Sequence, residues 1–162
     1  MNIDRFRMRT KYSSLFTLVL IAIAFYATGC KPKFEEADKL FKQGYYRQSA
    51  IIFEEFSKST KDKKLKAEAI FFAAEAYRLS DEYDKALRLY EKVLKTDPKN
   101  TKALLMRANL LKKVEKYREA LDAYDVYLAE VPGDTLADVR KQGCELALQW
   151  TEDSSQFEVE KF

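Results

Sequence analysis

The sequence predicts an all-α fold assembled from a stacked repeat, and three observations carry that expectation. Between Ala67 and Asp134, the residues Tyr83, Ala86, Leu87, Tyr90 and Pro98 recur 34 places later as Tyr117, Ala120, Leu121, Tyr124 and Pro132. A fixed period of this length marks an array of small helical or strand units, none of which can bury its apolar face alone. Within each unit apolar residues return at three and four places, as in Tyr83, Ala86, Leu87, Tyr90, Val93 and Leu94, which is one face of an α-helix. Glycine and proline total seven in 162 residues, against abundant Ala, Leu, Glu and Lys, so long helices with short connections are expected.

The length suits one domain. There is no histidine, and the only cysteines are Cys30 and Cys144. A zinc site, a Ser-His-Asp triad and a Cys-His pair therefore all lack their parts, and neither a cofactor nor a small-molecule substrate is inferred. The formal charge of +3 resides in the first 29 residues, where Arg5, Arg7, Arg9 and Lys11 face the single acid Asp4. The remainder carries 25 basic and 25 acidic side chains. A neutral folded region argues against a nucleic-acid partner, whose binder would show a basic excess on the domain itself.

The basic opening leads into an apolar run from Leu15 to Ala27 and then Thr28, Gly29 and Cys30. An apolar run of 13 residues fits the core of a secretory signal, whereas a membrane-spanning helix needs about 20. Residues 1–29 are therefore read as a signal peptide. Its end resembles the bacterial lipobox, in which small residues precede a cysteine that is lipidated and becomes the first residue of the mature protein. The match holds at Thr28, Gly29 and Cys30 and departs at Ala27, where that motif usually has Leu. The resemblance implies a chain anchored in the cell envelope by lipid on Cys30. Lys31 stands where some Gram-negative lipoproteins carry an inner-membrane retention Asp, which favours an outer-membrane location facing the periplasm. The alternative is an uncleaved anchor, or an ordinary signal followed by a chance cysteine.

Beyond the signal, three helix pairs are expected at about 33–43 with 46–58, 65–79 with 83–95, and 101–113 with 117–130. Ala37, Leu40, Tyr46, Ser49 and Phe53 match Ala74, Tyr77, Tyr83, Ala86 and Tyr90 at an offset of 37, so the first unit has three extra residues, placed in the polar loop Ser57 to Lys64. Asp97-Pro98 and Val131-Pro132-Gly133 close the second and third pairs, because proline is excluded from a helix interior.

On these residues the chain resembles the tetratricopeptide repeat family, with units at about 31–64, 67–100 and 101–134 inside a domain spanning 30–134. That family places small residues at the eighth and twentieth positions, here Ala37, Ala74 and Ala108, then Ser49, Ala86 and Ala120. The twenty-fourth position is aromatic, here Phe53, Tyr90 and Tyr124. The twenty-seventh, commonly Ala, holds the larger Phe56, Val93 and Tyr127. The resemblance implies a right-handed superhelical array whose first helices line a concave groove.

After Gly133, Asp134 is the expected N-cap of a capping helix over 135–150. Its apolar stripe Leu136, Val139, Gly143, Leu146 and Trp150 is expected to face inward and cover the last repeat, with Trp150 as an anchor and Cys144 a lone thiol. The tail 151–162 ends on an alternating Phe157-Glu158-Val159-Glu160, read either as disorder or as the start of a missing domain. The whole layout is loosely similar to the N-terminal region of Bacteroidota OmpA-like outer-membrane lipoproteins associated with type IX secretion.

Carried over from the family's groove positions, the candidate peptide-contacting residues are Phe34, Phe41 and Lys42 in the first unit, Phe71 and Arg78 in the second, and Lys102, Leu105, Asn109 and Lys112 in the third. An apolar floor with basic groups toward the third unit suits a peptide with an apolar anchor and an acidic end. The family's carboxylate clamp wants Asn where this chain has Asp38, so that ligand is not inferred. The expected function is a non-enzymatic protein-interaction scaffold in an envelope assembly or secretion complex. The alternative is a periplasmic carrier, chaperone-like in binding secreted or unfolded polypeptides. Enzymatic acid-base chemistry is the weakest option, since Glu35-Glu36 and Glu54-Glu55 are sequence neighbours and point to different sides of a helix.

Overall fold

The computed structural model describes residues 31–154. The expected export signal, Cys30 and the strand-like tail lie outside the described residues. Seven helices are present among those described: α1 (Lys31–Lys42), α2 (Tyr46–Ser59), α3 (Lys63–Leu79), α4 (Tyr83–Thr96), α5 (Thr101–Lys113), α6 (Tyr117–Glu130) and α7 (Thr135–Ser154). Each packs on the next in sequence order, and α7 also touches α5. This is the stacked arrangement that the 34-residue period implies. No described helix is long and apolar enough to cross a membrane.

Within each pair the two helices meet through small residues. Ala37, Ala74 and Ala108 are fully buried against Ser49, Ala86 and Ala120, which are also fully buried. Ser49 departs from alanine at no cost, because its hydroxyl donates to the Ala37 carbonyl at 2.7 Å. A buried hydroxyl without such a partner would cost about 1–3 kcal/mol. Around these contacts Phe53, Tyr90 and Tyr124 are fully buried, each contributing roughly 2–3 kcal/mol by area. The large residues of the twenty-seventh position are accommodated too, with Phe56, Val93 and Tyr127 all buried.

The turn inside each pair repeats in detail. Gly44, Asp81 and Glu115 adopt left-handed backbone with φ of 84°, 60° and 61°. The next residue's N–H then reaches back to a carbonyl of the first helix: Tyr45 to Leu40 at 2.9 Å, Glu82 to Tyr77 at 2.9 Å and Lys116 to Leu111 at 3.0 Å. These are helix-stop bonds of the Schellman type, which satisfy carbonyls left over at a helix end.

The turns between pairs use side-chain caps instead. Asp62 accepts from the N–H groups of Lys64 and Leu65 at the start of α3. Asn100 accepts from Ala103 at 3.1 Å at the start of α5. Asp134 accepts from Leu136 and Ala137, both at 3.1 Å, at the start of α7, as its sequence position predicts.

One expectation is corrected. The stripe predicted to seal α7 onto the array faces solvent, with Leu136 57%, Val139 60%, Leu146 51% and Trp150 71% exposed. The helix packs instead through Ala137 and Cys144, which are buried. The reason is register. α7 starts 34 residues after α5, from an equivalent cap, so Ala137 and Cys144 take the places of the buried Ala103 and Leu110. The apolar stripe lies roughly a third of a turn away from that inner face.

Candidate protein-binding surface

Four half-buried phenylalanines form one continuous patch across the first two units. The Phe34 ring meets Phe53 at 5.1 Å, Phe56 at 5.4 Å and Phe72 at 6.2 Å, each edge-on. Phe41 meets Tyr46 at 5.4 Å and Phe72 at 6.3 Å. Phe71 touches Phe72 at 6.0 Å and Tyr90 at 6.2 Å. The buried rings of Phe53 and Phe56 thus support Phe34, and Phe72 joins Phe34, Phe41 and Phe71. Such ring pairs prefer edge-to-face geometry and hold one another in place.

The groove residues chosen from sequence fall into distinct groups. Phe34, Phe41 and Phe71 come together as the aromatic floor. Lys42 stands apart, exposed and paired with Asp38 at 2.5 Å. Arg78 donates from Nη2 to Glu75 at 2.8 Å, and Glu75 also receives the Tyr90 hydroxyl. Burial, with the Glu75 carboxylate beside it, holds the Tyr90 phenol well above its ordinary value.

In the third unit Leu105 packs half-buried against the core and Lys102 is exposed. Asn109 Oδ1 accepts from the Tyr124 hydroxyl at 2.7 Å and from Arg140 Nη1 at 3.2 Å. Tyr124 is pushed up to about 12, mainly by burial. Lys112 Nζ donates to the Arg140 carbonyl at 3.1 Å and lies against Gly143, where an added Cβ would sit 2.9 Å from it. Asn109 and Lys112 therefore tie α5 to α7 at the edge of the groove.

Sequence reasoning missed Phe72, Arg140 and the outward stripe of α7. Phe72 directly follows a residue it did choose. The α7 residues were legible by extending the 34-residue count one unit further.

Two sequence-family models, each described as tetratricopeptide repeat, match residues 34–101 and 77–140. Residues 34–140 form tetratricopeptide repeats. Solved structures agree on the fold of this tetratricopeptide repeat array. A MamA RS-1 double mutant superposes with a TM-score of 0.68 at 20% identity, over 76% of this chain and 67% of that one. The type III secretion chaperone SycD of Yersinia enterocolitica, in complex with a peptide of the translocator YopD, gives 0.64 at 13% identity, over 72% and 92%. The second tetratricopeptide domain of human RPAP3, in complex with an HSP70 peptide, gives 0.62 at 18% identity, over 72% and 94%. No curated protein sequence matches the chain. The aromatic patch lies on the first two units, and the polar and basic groups Lys102, Asn109 and Lys112 lie on the third.

Proposed function

We propose that this chain is a non-enzymatic scaffold that holds a protein partner at the bacterial cell envelope, anchored through lipid on Cys30. The observation that carries the binding half of this reading is the patch of Phe34, Phe41, Phe71 and Phe72, four large apolar rings side by side that the core covers only in part. Water-exposed aromatic surface of this kind gains most when a partner covers it. Two structural neighbours hold peptides, which supports the same use of this fold. The anchoring half rests on Thr28-Gly29-Cys30 behind an apolar run. Multiple acyl chains, each contributing about 0.8 kcal/mol per buried methylene, would hold the domain on an outer membrane facing the periplasm. The loose likeness to Bacteroidota OmpA-like lipoproteins makes an envelope assembly or secretion complex the proposed setting.

Both halves are testable. The full chain is expected to sediment with membranes and Cys30→Ser to release it; a Cys30→Ser protein that stays on membranes removes the lipid anchor. Photo-crosslinking in cells from Phe71 is expected to trap one dominant protein. Many weak adducts would favour a periplasmic carrier instead, a reading that the peptide-bound secretion chaperone among the neighbours supports. Absence of any adduct from Phe71 would count against both.

A further inference from the structure

The exposed stripe of α7 continues, one unit further, the row of groove candidates on α5. Caps fix the register: Asn100 and Asp134 bond Ala103 and Ala137 in the same way, 34 residues apart. Counting from them, Leu136, Val139, Gly143 and Leu146 stand where Lys102, Leu105, Asn109 and Lys112 stand in the third unit. The contact of Lys112 with Gly143 places the two rows side by side.

The face of α7 on which a second helix of its own unit would pack is polar instead. Asp138, Gln142 and Glu145 are exposed there. The stripe is therefore not the seat of a further repeat helix. From Leu136 to Trp150 it runs about 21 Å along the groove side.

The stripe has a basic flank on the α5 side and the exposed acids Asp138 and Glu145 on the other. α5 contains no acidic residue, and it lies along the stripe with Lys102 and Lys112. Lys112 is bonded to a carbonyl rather than a carboxylate, and Arg140 from α7 adds a third positive group on the same bank. We infer that the α7 stripe and this basic bank form a second docking subsite, whose ligand is an acidic amphipathic helix of a partner protein. Its apolar side chains lie on Leu136, Val139, Leu146 and Trp150, and its carboxylates face Lys102, Lys112 and Arg140. Helix-in-groove recognition uses this combination of spaced apolar anchors and flanking charge. The subsite deepens the scaffold reading by giving the partner's chemistry.

Trp150 is the chain's only tryptophan, so its emission reports this subsite alone. The full chain in neutral phosphatidylcholine nanodiscs would be titrated with two tryptophan-free synthetic helices sharing one leucine stripe, with Glu at every other position in the first and Lys in the second. The Glu helix is expected to shift Trp150 emission to the blue, with the Lys helix about tenfold weaker or worse and the Glu-helix affinity falling as salt rises. Leu146→Glu is expected to weaken the Glu helix about tenfold. Lys102→Glu, on an exposed helix face, is expected to narrow the preference between the two helices at unchanged helicity. Equal binding of both helices, or no shift with either, overturns the proposal. So does a shift that appears without peptide, whether on raising protein concentration, which means self-association, or on adding phosphatidylglycerol vesicles, which means a membrane surface. A failure here leaves crosslinking from Phe71 unaffected, so the two readings fall separately.

Discussion

Tyr90 and Tyr124 occupy the same place in successive units and make the same bond, each hydroxyl reaching the residue 15 positions earlier, Glu75 or Asn109. The first unit has Phe53 at this place and lacks the donor, and Asp38, at the corresponding acceptor position, pairs with Lys42 instead. Glu75 is charged and Asn109 is not, so the two bonds differ in strength. Tyr90→Phe is expected to cost about 2 kcal/mol and Tyr124→Phe about 1 kcal/mol in urea denaturation, since hydrogen bonds to charged groups contribute more. Tyr124→Phe leaves Arg140 still bonded to the same Asn109 oxygen, whereas Tyr90→Phe leaves Glu75 Oε1 without its donor, since Arg78 bonds the other oxygen. Cys144, fully buried, has its thiol pushed up by burial. In a Cys30→Ser chain it is expected to resist iodoacetamide until denaturant is added, since the thiolate is the reactive form.

At the level of the helix and its turn, the three left-handed residues are not equivalent. Glycine adopts positive φ freely, while other residues pay about 1–2 kcal/mol for it. Gly44 fits its turn, but Asp81 and Glu115 are held there by the helices on either side. Glu115→Gly is therefore expected to stabilise the domain by about 1 kcal/mol, read as a higher urea midpoint at unchanged slope. Asp81→Gly should gain less, because Asp81 accepts from the Tyr83 hydroxyl and Asp tolerates this region better. The cap of α7 can be tested in the same spirit. Tyr127 and the N–H of Ala137 hold the Asp134 carboxyl below its ordinary value of 3.8. A depressed carboxyl contributes above its unfolded pKa and loses that contribution as pH falls through the folded one. Asp134→Ala should lower the amide-exchange protection of α7 and leave that of α1 to α4 unchanged, and in the wild type the protection of α7 should fall as pH drops below 3.8.

For the molecule as a whole, the buried phenols set an alkaline limit. Tyr77, Tyr90 and Tyr124 are all raised above the ordinary value of 10.0, in each case chiefly by burial. Groups raised in the folded state contribute fully below their unfolded pKa, so thermal stability should hold through neutral pH and fall above pH 10.0. Tyr90→Phe should flatten that fall. The array itself was readable from sequence, helix by helix, because a fixed period combined with 3.6-residue spacing leaves few alternatives. What the sequence left open was orientation. The residues Leu136, Val139, Leu146 and Trp150 look like a buried stripe by spacing alone, yet the cap at Asp134 rotates them outward. Likewise Asn109 and Lys112 look like free groove residues until Arg140 and Gly143, a helix and a half away in sequence, close over them.

The polar face of α7 carries a consequence for engineering. Asp138, Gln142 and Glu145 stand where α5 has the buried Leu104, Ala108 and Leu111. Three substitutions to that pattern, followed by a copy of the α6 sequence, would make α7 the first half of a new module. Whether α7 can receive a partner helix is thus set locally, in one quadrant of its surface.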